Sequence, residues 1–534
     1  MALMLYGLAL YFIPLHSSSF YFDDRAAIVN NKAITSIDIP KIFNAFNTRS
    51  LVGLSFALNY KWGGLHPFGY RSTNLLIHCL NAFLVYLLVR STLTLYYSRR
   101  DPSPFGLGMT SPFEWPAFFA SILFLCHPIQ TEPVNSITQR FVLMGAFFYL
   151  LTFFLYIQYR TRSQKIYLFA SLITALAAMF CKEFVVTLPL MLAVYDFYFL
   201  QEKAESWWKR CRRILPFLII ALIVPLLLLR TPHEAVGVAN IADSTSAHHV
   251  DISRAKGAIS RGEYFLTELN VVRTYVRLLF LPIHQNFDYD YPLSSNIDAR
   301  TLLSAAFLLC LLAISVITYR SYRLISFCIL WFFIALSVES SLIPIGHVIA
   351  EYRLYLSSVG FTLLVTTLIY TRQTDQKKLN IIAAVILIFF SVLTYQRNAV
   401  WKDEFTLWND TVQKSPHKAR GYNNRGLEYY RQGKFNEAMA DFNKAIEINP
   451  DYAAAYSNRS VLYGFKGNLA EAMMGFNKAI AINPNYTDAY RNRAFTYYQL
   501  KEYNNALEDL DKAQKLGAVV DPQLLNALKQ ITGR

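Results

Sequence analysis

The chain has 534 residues, of which 54% are hydrophobic and only 16% charged, an apolar content too high for one soluble domain of that length. Its formal charge of +15 does not point to nucleic acid, because the basic residues gather in short links between apolar runs, the pattern that writes membrane topology. Six cysteines lie in or beside those runs without a C-x-x-C pair, which supports neither a disulfide framework nor a zinc site.

A helix needs about 20 apolar residues to cross roughly 30 Å of hydrocarbon. Runs of this kind fall near 2–16, 73–95, 113–126, 140–158, 166–181, 184–200, 214–230, 301–319, 324–342, 354–371 and 379–395. The first has neither a basic leader nor an A-x-A site before the acidic stretch that follows, so it reads as a retained span and not a signal peptide; its brevity leaves room for a start further upstream. Several others are short, which predicts tilted or broken helices around a cavity. A further apolar stretch, 264–283, carries Glu268, Arg273 and Arg277 at helical spacing and is predicted to lie at the interface or re-enter.

Basic links at Arg99 and Arg100, Arg160 to Lys165, Lys209 to Arg213, Arg320 to Arg323 and Arg372 to Lys378 follow every second span. The positive-inside rule places them in the cytoplasm. The other links, including outer loops 17–72, 127–139, 231–300 and 339–353, then face the opposite side, as does everything after Tyr395. In a bacterium this is the periplasmic side of the inner membrane.

After Tyr395 the composition turns polar. Pro416, Pro450 and Pro484 recur every 34 residues, and Tyr422, Tyr456 and Tyr490, Ala438, Ala472 and Ala506, and Ala445, Ala479 and Ala513 keep the same register. That period predicts a tetratricopeptide array, in which each helix pair buries its apolar face against its neighbours. The predicted class is therefore all-α: a polytopic membrane helical bundle of about eleven spans over 1–395, then an α-solenoid over 396–534. The solenoid divides into a half repeat at 401–418, repeats at 419–452, 453–486 and 487–517, and a closing helix at 521–531.

Ionisable residues beside membrane helices are expensive and mark pathways or sites. The outer links hold an unusual number of them. Asp23 and Asp24 follow the first span, where a carboxylate can take the proton of an attacking hydroxyl; the plainer alternative is a helix N-cap. His127, Glu132 and Arg140 flank the next outer link and suit sugar hydroxyls or a phosphate, or else form a helix-end turn with a snorkelling arginine. Lys182 with Glu183, and Glu351 with Arg353, stand in short links where self-paired ions are the alternative. His248, His249 and Asp251 read as loop residues before they read as a metal site. The chain has no H-E-x-x-H, no phosphate loop and no nucleophile elbow. Asn424, Asn458 and Asn492 recur on the first helix of successive repeats, a ladder of amides suited to gripping an extended peptide backbone.

Several blocks in order carry a resemblance: FDDRAAIVNN at 22–31, LSFALNYKWGGLHPFGYRSTNLLIHCLNA at 54–82, LFLCHPIQTEPVNSITQR at 123–140, CKEFVVTLPLMLAVYDFYF at 181–199, LLFLPIHQNFDYDYP at 278–292, EYRLYLSSVGF at 351–361 and RNAVWKDEFTLWNDTVQKSP at 397–416. Over nearly its whole length the chain resembles the TMTC family, transmembrane proteins with tetratricopeptide repeats, including their bacterial relatives. The resemblance implies a C-type glycosyltransferase fold that inverts the sugar while moving mannose from a polyprenyl or dolichyl phosphate to protein hydroxyls. It implies Asp24, with Asp23, as the catalytic acidic motif and Arg353, Arg140 or Lys182 as the donor-phosphate anchor. His127 and Glu132, with Glu351, would shape the sugar or acceptor pocket. The implied chemistry needs no cofactor, with a divalent cation on Asp23 and Asp24 as the alternative. Two positions depart from the pattern: Tyr70 is followed by Arg71 where histidine is expected, and Ser357 replaces a proline.

Two rival functions compete with sugar transfer. One is a non-catalytic assembly factor whose spans anchor a repeat scaffold, which predicts dispensable outer carboxylates. The other is a ligase or polymerase of lipid-linked polysaccharide, which needs an acceptor glycan.

Overall fold

The computed structural model describes residues 1–17, 19–98, 113–200, 206–230, 259–341, 344, 345, 347–370, 375–518 and 520–533. His248, His249, Asp251, Arg99, Arg100 and most of the link 231–260 lie outside the described residues, as does the start of the basic link after Tyr370. Every regular element among the described residues is helical. They group into two compact units, one of Met1–Gly237, Arg261–Gln285 and Pro292–Lys402, the other including Asn286–Tyr291 and Asp403–Arg534.

Among the described residues of the first unit, six helices are long and apolar enough to cross a membrane: Pro67–Ser98, Arg140–Arg162, Glu183–Leu200, Ala299–Thr318, Glu351–Tyr370 and Lys377–Val400. Glu114–Leu125, Lys165–Met179 and Arg323–Leu336 are apolar but shorter. The chain is a multi-pass membrane protein. The run 2–16 is split into Ala2–Leu10 and Phe12–Leu15, and 214–230 is split into Trp207–Ala221 and Ile223–Arg230, with Pro216 and Pro225 interrupting the hydrogen-bond ladder. The last membrane helix does not stop at 395 but continues to Val400, because Gln396 to Val400 contains no breaker and Arg397 and Asn398 turn inward.

Close packing places the links. Trp331 is buried among Phe153, Tyr149 and Phe327 and donates its indole N–H to Leu356 O at 2.8 Å. Gly360 lets Leu354–Tyr370 approach Arg323–Leu336 here: a Cβ would meet Cys328 O and Trp331 Cδ1, each at 2.9 Å.

The second unit is the helix stack: Glu404–Lys414, Ala419–Arg431, Phe435–Ile448, Ala453–Phe465, Leu469–Ile482, Thr487–Gln499, Tyr503–Lys515 and Pro522–Thr532. Ala438, Ala445, Ala472, Ala479, Ala506 and Ala513 are wholly buried, since only a methyl-sized side chain fits where two helices cross this closely. Gly433 and Gly467 take φ of 74° and 82° at the turn between paired helices, whereas the third repeat has Lys501 there at 63°. Residues 286–291 belong to this unit, although they sit in the predicted outer loop 231–300. Phe287 packs edge-on to Trp408, and the buried carboxylate of Asp288 holds Arg420 at 2.6 Å and Lys418 at 3.4 Å.

Candidate active site

Tyr21 N-caps the turn Phe22–Asp24 in a reciprocal capping box, and a π-turn, Arg25–Val29, follows. Asp24 is fully enclosed. One of its oxygens accepts the Tyr21 N–H at 3.1 Å and the other accepts the Thr138 N–H at 2.8 Å. It therefore ties the first outer link to the second. Burial pushes its carboxyl up to about 6, against the opposing pull of the Thr138 N–H and the Arg71 charge. Both oxygens of this enclosed carboxylate hold backbone N–H groups, which gives Asp24 a structural task in joining the two links. Its neighbour Asp23 is half-buried.

The second link, 127–139, is the hub. Arg71, absent from the sequence-derived candidates, donates to Ser17 O at 2.6 Å, to Ser19 O and to Asn135 O at 3.4 Å, with its guanidinium 4.7 Å over the Tyr21 ring. Arg140 is wholly buried and donates to Asn74 Oδ1 at 2.8 Å, Asn59 Oδ1 at 2.6 Å, Tyr70 O at 2.8 Å and Ser55 O at 3.3 Å. With these donors given to this chain's own oxygens, Arg140 organises helix ends. His127 accepts the Ile129 N–H at Nδ1 (3.2 Å), so Nε2 carries the proton it gives to Leu279 O at 2.9 Å. Burial depresses it to about 4, so at neutral pH the uncharged ring braces this loop.

Glu132 is 5% exposed. Burial, reinforced by the charge of Glu351, pushes its carboxyl up to about 8, with Arg397 and Lys182 pulling the other way. Glu351 in turn accepts the Gln285 amide at 2.6 Å, and the same amide reaches Pro128 O at 3.2 Å. Lys182 contacts Glu339 at 2.8 Å and lies 4.1 Å over the Tyr352 ring. Its sequence neighbour Glu183 does not pair with it but takes Arg49 in a two-pronged contact, both arms 3.1 Å. Arg353 is 3% exposed, donates to Val348 O and His347 O, and approaches Glu268 at 3.6 Å, so its fork is also committed. Among the described residues no three His, Cys, Asp or Glu side chains converge on a point that would hold a metal ion.

The chain is 26% identical to Protein O-mannosyl-transferase Tmtc3 of Drosophila melanogaster over 498 residues, covering 78% of this chain and 51% of that one. It is 25% identical to TMTC3 of Homo sapiens (76% and 47% covered) and 26% identical to TMTC4 of Mus musculus (79% and 63% covered). The chain is TMTC-like. It spans about half to three fifths of the length of these curated relatives. Family models for the tetratricopeptide repeat and the TPR repeat match residues 419–452 and 466–501 of this TMTC-like chain. Among solved structures, the first TPR domain of Spaghetti bound to an HSP90 peptide is 28% identical over 22% of this chain and 91% of that one, with a TM-score of 0.21.

In the repeats of the TMTC-like chain, the asparagine ladder is only partly free. Asn458 donates to Asn423 Oδ1 at 2.9 Å, and Asn423 in turn donates to Asn424 Oδ1 at 3.4 Å. The Asn424 amide nitrogen is buried without an acceptor, and Asn492 is half-buried. A cavity of about 570 Å3 is lined by none of these candidate residues; its walls include Met1, Leu3, Leu76, Phe83 and Phe118, with Glu114 and Tyr86 as polar groups.

Proposed function

We propose that the chain transfers a mannose-like sugar from a polyprenyl-phosphate donor to an acceptor hydroxyl on protein, with inversion at the sugar, on the outer face of a bacterial inner membrane. The carrying observation is that Asp24 ties the link bearing Asp23 to the link 127–139, where the charge of Lys182 acts on Glu132. Asp23 is the general base in this reading, and Asp24 positions it through the capping box. Asp23 takes the proton of the acceptor hydroxyl, the hydroxyl oxygen bonds to the anomeric carbon, and the lipid phosphate leaves with the pair of electrons from the broken bond. Lys182 is the cation we assign to the leaving phosphate: it holds Glu339 through a single contact, and an ammonium on a flexible stem exchanges partners more readily than the enclosed forks of Arg140 and Arg353. Glu132, protonated below about 8, can donate a hydrogen bond to the sugar or the departing phosphate. No divalent cation is needed in this scheme. The repeats present the acceptor, with Asn424, Asn458 and Asn492 along its path.

The test is turnover of a panel of polyprenyl-phosphate monosaccharides by the purified chain in lipid, comparing Asp23→Asn with Asp24→Asn. Collapse of turnover in Asp23→Asn with an unchanged melting profile supports the assignment. The second reading, a non-catalytic scaffold, is favoured by one observation: Lys182, Arg140 and Arg353 already have partners within the chain. No turnover with any donor, together with full complementation in cells by Asp23→Asn, would establish it in place of catalysis.

A further inference from the structure

Three arginines repeat at the same place in the array: Arg425, Arg459 and Arg493. Each lies between two tyrosine rings of its own helix, 5.5 and 5.8 Å from Tyr422 and Tyr429, 5.4 and 6.0 Å from Tyr456 and Tyr463, and 5.6 and 5.7 Å from Tyr490 and Tyr497. Each also gives Nη1 to an asparagine 16 residues earlier: Asn409 at 3.0 Å, Asn443 at 2.8 Å and Asn477 at 2.6 Å. Here the likeness ends. Arg425 and Arg493 present their Nε and Nη2 edge to a carboxylate of their own repeat, Asp441 with both arms at 2.8 Å and Asp509 with both arms at 2.7 Å. In the middle repeat the corresponding residue is Gly475. Among the described residues Arg459 has no carboxylate partner.

The gap is not simply filled by this chain's own acceptors. Ser460 stands where the other repeats have Gly426 and Ala494. Its hydroxyl points to the missing side chain, lying 1.9 Å from where a Cβ on Gly475 would sit. Ser460 is 1% exposed and its Oγ has no hydrogen-bond partner. A hydroxyl with no hydrogen-bond partner and an arginine with no carboxylate therefore flank the position that Asp441 and Asp509 fill in the sister repeats. Gly475 and Ser460 are buried, but Arg459 is only half-buried, so its guanidinium is within reach of an incoming group. The tyrosines and Asn443 hold the guanidinium plane without it, which leaves the two-pronged edge preorganised.

We propose that Arg459, with Ser460, is a receptor for a carboxylate supplied from outside the repeat: the aspartate or glutamate side chain of a protein segment bound by the array. The two sister repeats show which anion this edge accepts. Recognition here does not depend on sugar transfer.

The probe is a pair of fluorescein-labelled decapeptides of glycine and serine with blocked ends, one carrying a central glutamate and the other glutamine, measured by anisotropy on the full chain in lipid nanodiscs. One charge-assisted two-pronged contact should favour the glutamate peptide by about tenfold. The preference should fall to within about twofold in Arg459→Leu. It should fall equally in the double variant Ser460→Ala with Gly475→Asp, which copies the third repeat, fills the place from within and is expected to fold at least as well. A native chain that shows no preference, including one that binds neither peptide at millimolar concentration, overturns the proposal, as does a preference that survives in either variant.

Discussion

Glu132→Gln separates a buried acid from an ordinary surface one. In the folded chain this carboxyl stays protonated to about 8, against a usual value of 4.5. A raised carboxyl pKa favours folding fully below the unfolded value, and that advantage is lost as pH climbs towards the folded value. Each pH unit in the interval costs about 1.4 kcal/mol, so the native chain should lose roughly 4–5 kcal/mol from this group between pH 4.5 and pH 8, and no more above it. Glutamine mimics the protonated form and cannot ionise. The stability of Glu132→Gln relative to the native chain should therefore rise with pH from 4.5 to 8 and then level off, on top of a constant offset from the extra amide donors. The assay is the midpoint of thermal unfolding in nanodiscs at half-unit pH intervals, read as the difference between the two proteins. A difference flat across the range would refute the reasoning, because it would mean that Glu132 ionises as freely in the folded chain as in water.

Lys501 occupies the left-handed turn that its sister repeats give to Gly433 and Gly467, a conformation costing a non-glycine residue about 1–2 kcal/mol; Lys501→Gly should raise the denaturation midpoint of the repeats, and an equal gain from Lys501→Ala would show that backbone strain is not the cause. Asp288→Asn leaves Arg420 and Lys418 without their buried counter-charge and should destabilise the repeat unit by roughly 3 kcal/mol, with much of the loss recovered in Asp288→Asn combined with Arg420→Met. Turnover should persist after exhaustive chelation, and activity that vanishes and returns with added manganese or magnesium would put a cation on Asp23.

The repeats could be read in advance because their physics is local and periodic: a 34-residue register of small residues declares which faces must meet. The membrane helices were visible for a similar reason, as runs of apolar residues, but their ends were not. The last one passes 395 to Val400 because nothing in Gln396 to Val400 stops it. The charged links were recognisable as unusual, yet their partners were hidden, since pairing depends on which helix ends become neighbours. Lys182 and Glu183 are adjacent in sequence and pair apart, one with Glu339 and the other with Arg49. Asp288 gave no sign that it leaves the loop 231–300 to join the repeats. Arg71 was noticed only as a departure from a pattern, although its carbonyl contacts fasten the first outer link to the second.

These pairings change what the acidic motif means. Two adjacent aspartates offer two carboxylates of equal standing on paper, but a capped turn encloses Asp24 and leaves Asp23 half-buried. Asp24 accepts two backbone N–H groups from separate links, so its removal should disturb both links before any question of proton transfer arises. A loss of activity in Asp24→Asn is therefore ambiguous by itself, whereas the same loss in Asp23→Asn is not. The buried acids run the opposite way. Glu351 sits close enough for its charge to oppose ionisation of Glu132, an arrangement that apolar residues of similar size would avoid. On the proposed reading, this unfavourable arrangement, held by Gln285 and Pro128 near Lys182, serves the sugar donor and not the fold.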